Sequence, residues 1–379
     1  MVFDFFKPVD SEIISFAEQL SYNSVGNKIL LHTDSVFPDL DNVNVVLIGV
    51  NDVRGLNLNF DNVSNNFIRK AFYKMYLGNW NLTIADLGDI PTGNTQSDTY
   101  YILKNAVSYL VSKNIVPIIV GGSQDLTLAI YNGFEQLKKL VNLTTIDSTF
   151  DLEDSEEDLI HANSFLSNII LQEPNYLNCY TNLGYQTYYN SQDQIELVDK
   201  MYFDAHRLGE VSQNIKLAEP ILRDTNVVSL DLQSIQSSSS GNLINFEPNG
   251  FTGKEICVLS RYAGLSDNVR VFGIFNHFGT VTESNLIAQI IWYFIEGFTL
   301  RNIENSFVEN VNMLKYNVQL DDFELIFYKS LLSQRWWIEV PNQASIDGKY
   351  YLPCGLEDYE SALNNVIPER WWKSLKKNL

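Results

Sequence analysis

Five runs of almost unbroken apolar, largely β-branched residues punctuate this chain. They are NVNVVLIGV (42–50), IVPIIV (115–120), VNLTTID (141–147), NVVSLDL (226–232) and VRVFGIF (269–275). A strand with one wet face alternates polar and apolar residues, whereas a strand buried on both faces does not. These runs therefore predict strands covered on both sides. Helical stretches separate them: SDTYYILKNAVSYLVSKN (97–114), DLTLAIYNGFEQLKKL (125–140), GKEICVLSRYAGL (253–265) and NLIAQIIWYFIEGF (285–298). Strand–helix alternation predicts an α/β fold of three layers around a mostly parallel sheet. After about residue 310 the character changes. FELIFYKSLLSQRWWIEVP (323–341) reads as two strands around a Leu-Leu-Ser-Gln turn, and RWWKSLKKNL ends the chain with basic and aromatic residues. We expect residues 1–310 to form the α/β domain, with about 1–40 as an N-terminal extension. Residues 311–379 are expected to form a small appendage packed on it. The low-complexity segment SIQSSSSGN (234–242) is expected to be a flexible polar loop.

Charge narrows the partners. Asp and Glu number 46 against 26 Lys and Arg, for a formal net charge of -20. Such a surface repels nucleic acid and anionic membranes, so neither is an expected partner. The run at 285–298 is too short to span a bilayer and carries Gln289 and Glu296. The N-terminal MVFDFFKPVDSEII lacks a signal-peptide pattern. Three widely spaced cysteines, Cys179, Cys257 and Cys354, suit reduced thiols better than a disulfide framework. A cytoplasmic location is the expectation.

In a parallel α/β sheet, ligands bind beyond the carboxyl ends of the strands. There the chain places GGSQD (121–125), DSTFD (147–151) and SLDLQSIQS (229–237). The trio resembles the ureohydrolase superfamily of arginase, agmatinase and formimidoylglutamase. Its members carry Gly-Gly-x-His, then Asp-Ala-His-x-Asp, then Ser-x-Asp-x-Asp, in that order. The resemblance spans roughly residues 40–300. EPNGFTGKEICVLSRYAGLSD and the tail segments RWWIEVP and YLPCGLEDYE are similar to a divergent arginase-like branch found in Bacteroidetes. The resemblance implies the arginase-type three-layer sandwich. It also implies a pair of Mn ions, held by two His and four Asp, whose bridging hydroxide attacks a guanidinium or amidine carbon.

This chain departs from that pattern. By position, the two histidines become Gln124 and Thr149, and one aspartate becomes Gln233. Asp147, Asp151 and Asp231 remain as remnant ligands. Three carboxylates suit at most one hard cation, Mn or Mg, and a tight binuclear pair is not expected. The family's substrate-clamping Glu becomes Asn276, which cannot pair a guanidinium as a carboxylate does. His161, in DLIHANSF, stands where the family places a His-Gly substrate loop and is the candidate acid–base residue. FDAHRLGE (203–210) contains a literal Asp-Ala-His, but its fifth position is Leu208 and it comes about 80 residues after the Gly-Gly turn. His206 and His277 are expected to be structural.

The same residues have blander readings. Asp125 is placed to N-cap its helix, and Arg223 or Arg261 to pair with Asp147 and Asp231. DLEDSEED (151–158) reads as a solvated loop, and Trp336, Trp337, Trp371 and Trp372 as either a docking surface or packing for the tail. Two functions follow. The first is a catalytically impaired arginase-family pseudoenzyme that binds a protein or small-molecule ligand and needs no cofactor. The alternative is a hydrolase of a linear C–N bond in a guanidino or formimino compound, with a reduced or single-metal site. The family often forms trimers or hexamers, so a homo-oligomer is among the expected states.

Overall fold

The computed structural model describes residues 2–56, 63–154, 159–301, 312–321, 323–342 and 348–378. Its main sheet has nine strands: β1 (Leu30–Leu31), β2 (Val45–Val50), β3 (Ile84–Ile90), β4 (Val116–Val120), β5 (Val141–Ile146), β6 (Leu177–Tyr185), β7 (Asp204–Arg207), β8 (Val227–Asp231) and β9 (Val271–Phe275). They lie in the order β1-β3-β2-β4-β9-β8-β5-β6-β7. Every neighbouring pair is parallel. All five apolar runs became strands, and β2, β4, β8 and β9 are buried at every residue.

The side-chain period of two makes the layers. Along β4, Ile118 and Val120 join one core with Leu47, Ile274, Ile256 and Ile287, while Ile119 joins the other with Ile48, Leu103 and Ile130. The first core lies under the helices Gly253–Leu265 and Val281–Thr299, the second under Gln96–Ser112 and Leu126–Gln136. This is the expected three-layer α/β arrangement.

Four strands were not expected. β3 carries Asp86 and Asp89 within ADLGDI, so its apolar run is broken. The buried Arg69 neutralises both acids from the helix Asn66–Tyr73. β6 mixes Asn, Thr and Tyr with its apolar residues, and β7 is a short, partly exposed edge. Both are marginal strands in which polar residues are tolerated. Strand β1 is two residues long.

The tail forms an antiparallel meander of β10 (Met313–Gln319), β11 (Glu324–Ser330), β12 (Trp336–Pro341) and β13 (Lys349–Cys354). The helices Leu356–Leu363 and Glu369–Asn378 follow. Phe327, Ile338, Val340, Trp336 and Trp371 give it a core of its own. It docks through Arg223, which donates to the carbonyls of Trp336 (3.0 Å) and Cys354 (3.1 Å) and lies 4.5 Å from the Trp337 ring centroid. Trp336, Trp337 and Trp371 are buried, whereas Trp372 is exposed.

The serine-rich segment is not a loose loop. Ser237–Ser240 is a turn of helix closed by Gly241 in the left-handed region. Ser234, Ser237, Ser240 and Asn242 are buried; Gln236 N–H donates to the Phe251 carbonyl and Phe251 N–H to that of Ser234. Buried hydroxyls with partners replace the solvation that its composition suggests. Of the acidic run 151–158, residues 155–158 lie outside the described residues; Glu153 and Asp154 are exposed and Asp151 is buried. All three cysteines are free, with Cys257 and Cys354 buried. Among the described residues no helix is long and apolar enough to cross a membrane.

Candidate functional site

At the end of β4 the chain turns sharply on Gly121 and Gly122. A Cβ at Gly122 would sit 1.8 Å from the Asp52 carbonyl oxygen, so no larger residue fits there without moving the backbone. The turn is tied to β9: Gly121 N–H donates to the Ile274 carbonyl (2.9 Å) and Asn276 N–H to that of Gly122 (2.7 Å). Gln124 and Asn276 are thereby brought face to face. The Asn276 side-chain oxygen accepts from the Gln124 backbone N–H at 2.9 Å. The Gln124 side-chain amide in turn donates to Asp147 Oδ2 at 2.7 Å and reaches Ser229 Oγ at 3.3 Å.

From β5 the chain enters DSTFD. Asp147 Oδ1 accepts from the Thr149 backbone N–H (3.0 Å), and the Thr149 hydroxyl lies within reach of both Asp147 Oδ1 (3.2 Å) and Asp151 Oδ1 (2.8 Å). Asp151 Oδ2 is buried with no hydrogen-bond partner. Asp151 (φ 56°) and Asn276 (φ 60°) both occupy the left-handed region, where a side chain other than Gly is strained. From β8, Asp231 Oδ1 accepts the Gln233 backbone N–H at 2.7 Å. The Gln233 side chain turns away to Asn245, whose amide donates to it at 2.7 Å.

The structure thus joins Gln124, Asp147, Thr149, Asp151 and Asn276 in one buried network, with Asp231 beside it and Gln233 directed elsewhere. Burial pushes the Asp147 carboxyl up to about 6. Burial first, and then the Asp147 charge, holds those of Asp151 and Asp231 well above the usual carboxylate range. Among the described residues, no set of three or more His, Cys, Asp or Glu side chains is arranged to hold a metal ion.

Arg223 and Arg261 do not serve as partners for these acids. Arg223 pairs with Glu219 and serves the tail, while Arg261 pairs with Glu296 at 2.8 Å on the helix surface. Nor does the Asp125 side chain cap its helix. Its Oδ2 accepts from Gln96 Nε2 (3.1 Å) and from the Tyr100 hydroxyl, which draw it sideways. The first-turn N–H groups of Leu126, Thr127 and Leu128 donate instead to the carbonyls of Ser123, Gln124 and Asp125, while Asp52 and Asn276 accept from Ser123 and Gln124 in the turn before it.

Three of the four histidines are candidates, and they divide. His161 has its backbone N–H on Ser164 Oγ (3.0 Å) and a buried ring Nδ1 without a partner. Its flanking residues are tied to Gln96 and Gly55, on the Asp125 side of the site. It makes no hydrogen bond to the three aspartates. His277 is fully buried, accepts from Gly279 N–H at 3.2 Å, and is pushed down to about 4 by burial, so it is neutral. His206 lies on the edge strand β7 with its Nδ1 3.1 Å from Glu210.

Two residues that sequence reasoning passed over hold the DSTFD loop in place. Asn182 Nδ2 donates to the Thr149 carbonyl (2.8 Å), and Asn190 Oδ1 accepts from Phe150 N–H (2.8 Å). Both support backbone rather than chemistry, so no motif marks them.

Known proteins share this fold. The family model of the arginase family matches residues 61–274. Among solved structures, Trypanosoma cruzi formiminoglutamase with Mn2+ aligns over 74% of this chain and 99% of its own, at 17% identity and a TM-score of 0.63. Bacillus subtilis formimidoylglutamase aligns over 70% of this chain and 91% of its own, at 17% identity and a TM-score of 0.61. For the agmatine ureohydrolase of Thermoplasma volcanium the shares are 75% and 96%, with 18% identity and a TM-score of 0.57. A search of curated proteins finds no match. The structural likeness establishes the fold, and the family match takes in the Gly-Gly turn, DSTFD and the β8 end within more than half of the chain's 379 residues: the chain belongs to the arginase family.

Proposed function

We propose that this chain is a catalytically impaired arginase-family protein that binds a ligand or partner at the family's strand-end site. The observation that carries the proposal is the hydrogen bond from the Gln124 amide to Asp147 Oδ2 at 2.7 Å. The Trypanosoma cruzi relative holds Mn2+. A transition-metal pair needs inward-facing lone pairs on imidazoles and ionised carboxylates. Here Gln124 presents an N–H to the site instead of a lone pair. Both oxygens of Asp147 are already occupied, and Thr149 links it to Asp151. Burial favours the protonated forms of all three acids. This donor set does not fit two metal ions, and without them the means of making hydroxide near neutral pH is lost. Protein prepared with excess Mn should retain well under two Mn per chain by elemental analysis. It should release neither urea nor formamide from arginine, agmatine or formiminoglutamate. Two Mn per chain with turnover would overturn the proposal.

A second reading, a single-metal C–N hydrolase, draws on the unpartnered Asp151 Oδ2 and on the left-handed backbone at Asp151 and Asn276. Strain of this kind gathers at working sites. It requires Asp147, Asp151 and Asp231 to draw together around one Mn or Mg. Product release supported by one ion and abolished by Asp231→Ala would establish it.

A further inference from the structure

The amino ends of β5, β6, β7 and β8, opposite the carboxylates, face the tail. Between them and the helix Glu369–Asn378 lies a cavity of about 250 Å3. Arg370, Lys373 and Lys377 line it, at a spacing that sets them along one side of that helix. Three basic residues around one cavity stand out in a chain of net charge -20.

Their partners are unevenly shared. Lys373 is saturated by Asp204 (3.1 Å), Glu369 (2.9 Å) and the Phe203 carbonyl (3.2 Å). Asp224, also in the wall, accepts from the Tyr350 hydroxyl. Lys377 Nζ lies 3.0 Å from Cys179 Sγ, and burial raises that thiol's pKa, so it stays neutral. Arg370 Nη1 is buried without an acceptor. A guanidinium has only donors to offer, and buried donors almost always find acceptors. Arg370 and Lys377 thus lack a hydrogen-bonded carboxylate of their own in a cavity of small-molecule size whose walls also carry Asp204 and Asp224. An oxyanion would supply the acceptor that Arg370 Nη1 lacks.

We propose that this cavity is a second ligand site, which holds a small molecule by its carboxylate or phosphate group on Arg370 and Lys377. It is separate from the family's site: the family match ends at residue 274, before the helix that supplies both cations. It does not rest on the loss of catalysis proposed above, which metal content and turnover decide alone.

The test is calorimetric titration of the full chain with inorganic phosphate and, in a second arm, glutarate, with sodium chloride at matched ionic strength as control. Saturable binding of at least one probe beyond the chloride control is expected, with a rise in the melting midpoint. Phosphate binding alone marks a phosphate-bearing ligand, and glutarate binding alone a carboxylate. Arg370→Gln and Lys377→Gln should each weaken binding by about tenfold or more. Far-UV circular dichroism and the melt without anion establish that each variant is folded, and Lys377→Gln decides if Arg370→Gln does not fold. Lack of saturable binding, binding untouched by the folded variants, or binding abolished by Asp231→Asn would each overturn the proposal.

Discussion

Two clusters of buried aspartates sit in the same sheet and are treated in opposite ways. On β3, Asp86 receives both Arg69 Nε (2.8 Å) and Nη2 (3.1 Å), the Tyr73 hydroxyl (2.8 Å) and the Gly88 N–H (2.9 Å). Arg69 Nη1 also donates to Asp89 at 3.0 Å. At the ends of β5 and β8, Asp147, Asp151 and Asp231 are equally buried, yet their hydrogen-bond donors are amides and one hydroxyl. A buried charge needs a partner or it gives up its charge. The first cluster takes a guanidinium; the second has none and leans toward protonation. On β3 the sheet accommodates Asp86 and the half-buried Asp89 with a cation. The cation-free cluster lies where the motif resemblance places the family's metal ligands.

The largest effect should come from breaking the satisfied cluster. Arg69→Leu leaves Asp86 as an uncompensated buried charge and should cost about 3–5 kcal/mol in urea unfolding. A cost below ~1 kcal/mol would mean that the guanidinium contributes little to holding Asp86 in the fold, and the contrast between the clusters would collapse.

Next in size is a pH effect at Asp125, beside Gln124, which also lacks a cationic hydrogen-bond partner. Burial pushes its carboxyl up from 3.8 to about 6. The folded state then binds a proton more tightly than the unfolded chain. The stabilisation is full below the unfolded value and is lost as pH rises through 6, with a ceiling of about 3 kcal/mol. Unfolding free energy measured from pH 4.5 to 7.5 should fall more steeply in the wild type than in Asp125→Asn. Equal slopes would show that Asp125 is ionised and paired.

Asp151→Asn should go the other way, adding about 1–2 kcal/mol at pH 7. An amide keeps an acceptor for Thr149 while removing the repulsion from Asp147 and Asp231. The matching change Asp86→Asn should destabilise, because it strands Arg69. Destabilisation by Asp151→Asn would point to a cation or ligand held by that carboxylate, as the single-metal reading requires.

The contrast also explains what the amino-acid sequence made legible. The five central strands announce themselves because both of their faces are buried in apolar layers. β3 is hidden, since its two acids are neutralised by a residue 17 or more positions away. The candidate site is legible because strand ends are set by topology: Gln124 comes shortly after β4, Asp147 and Thr149 shortly after β5, and Asp231 closes β8. What sequence order cannot give is the direction of each side chain. Asp125 turns to Gln96 and Tyr100 rather than to its own helix, and Arg223 to the tail rather than to a core acid. Such choices are made by long-range competition among donors. So is the pairing of Asn276 with Gln124 across 152 positions.

The smallest effect is expected where the letters look most catalytic. Asp204, Ala205 and His206 spell the family's Asp-Ala-His, but they lie on the edge strand β7. There His206 meets only Glu210, whose side chain is 50% exposed, and Asp204 is held by Lys373. Exposed pairs of this kind contribute little, since solvent screens them and two mobile side chains must be ordered. His206→Ala should therefore shift unfolding free energy by no more than about 0.5 kcal/mol. It should also leave the metal content of the protein unchanged. A loss above ~2 kcal/mol, or a change in bound metal, would move the candidate site from the end of β5 to the sheet edge. The comparison between the two aspartate clusters would then have been drawn at the wrong place.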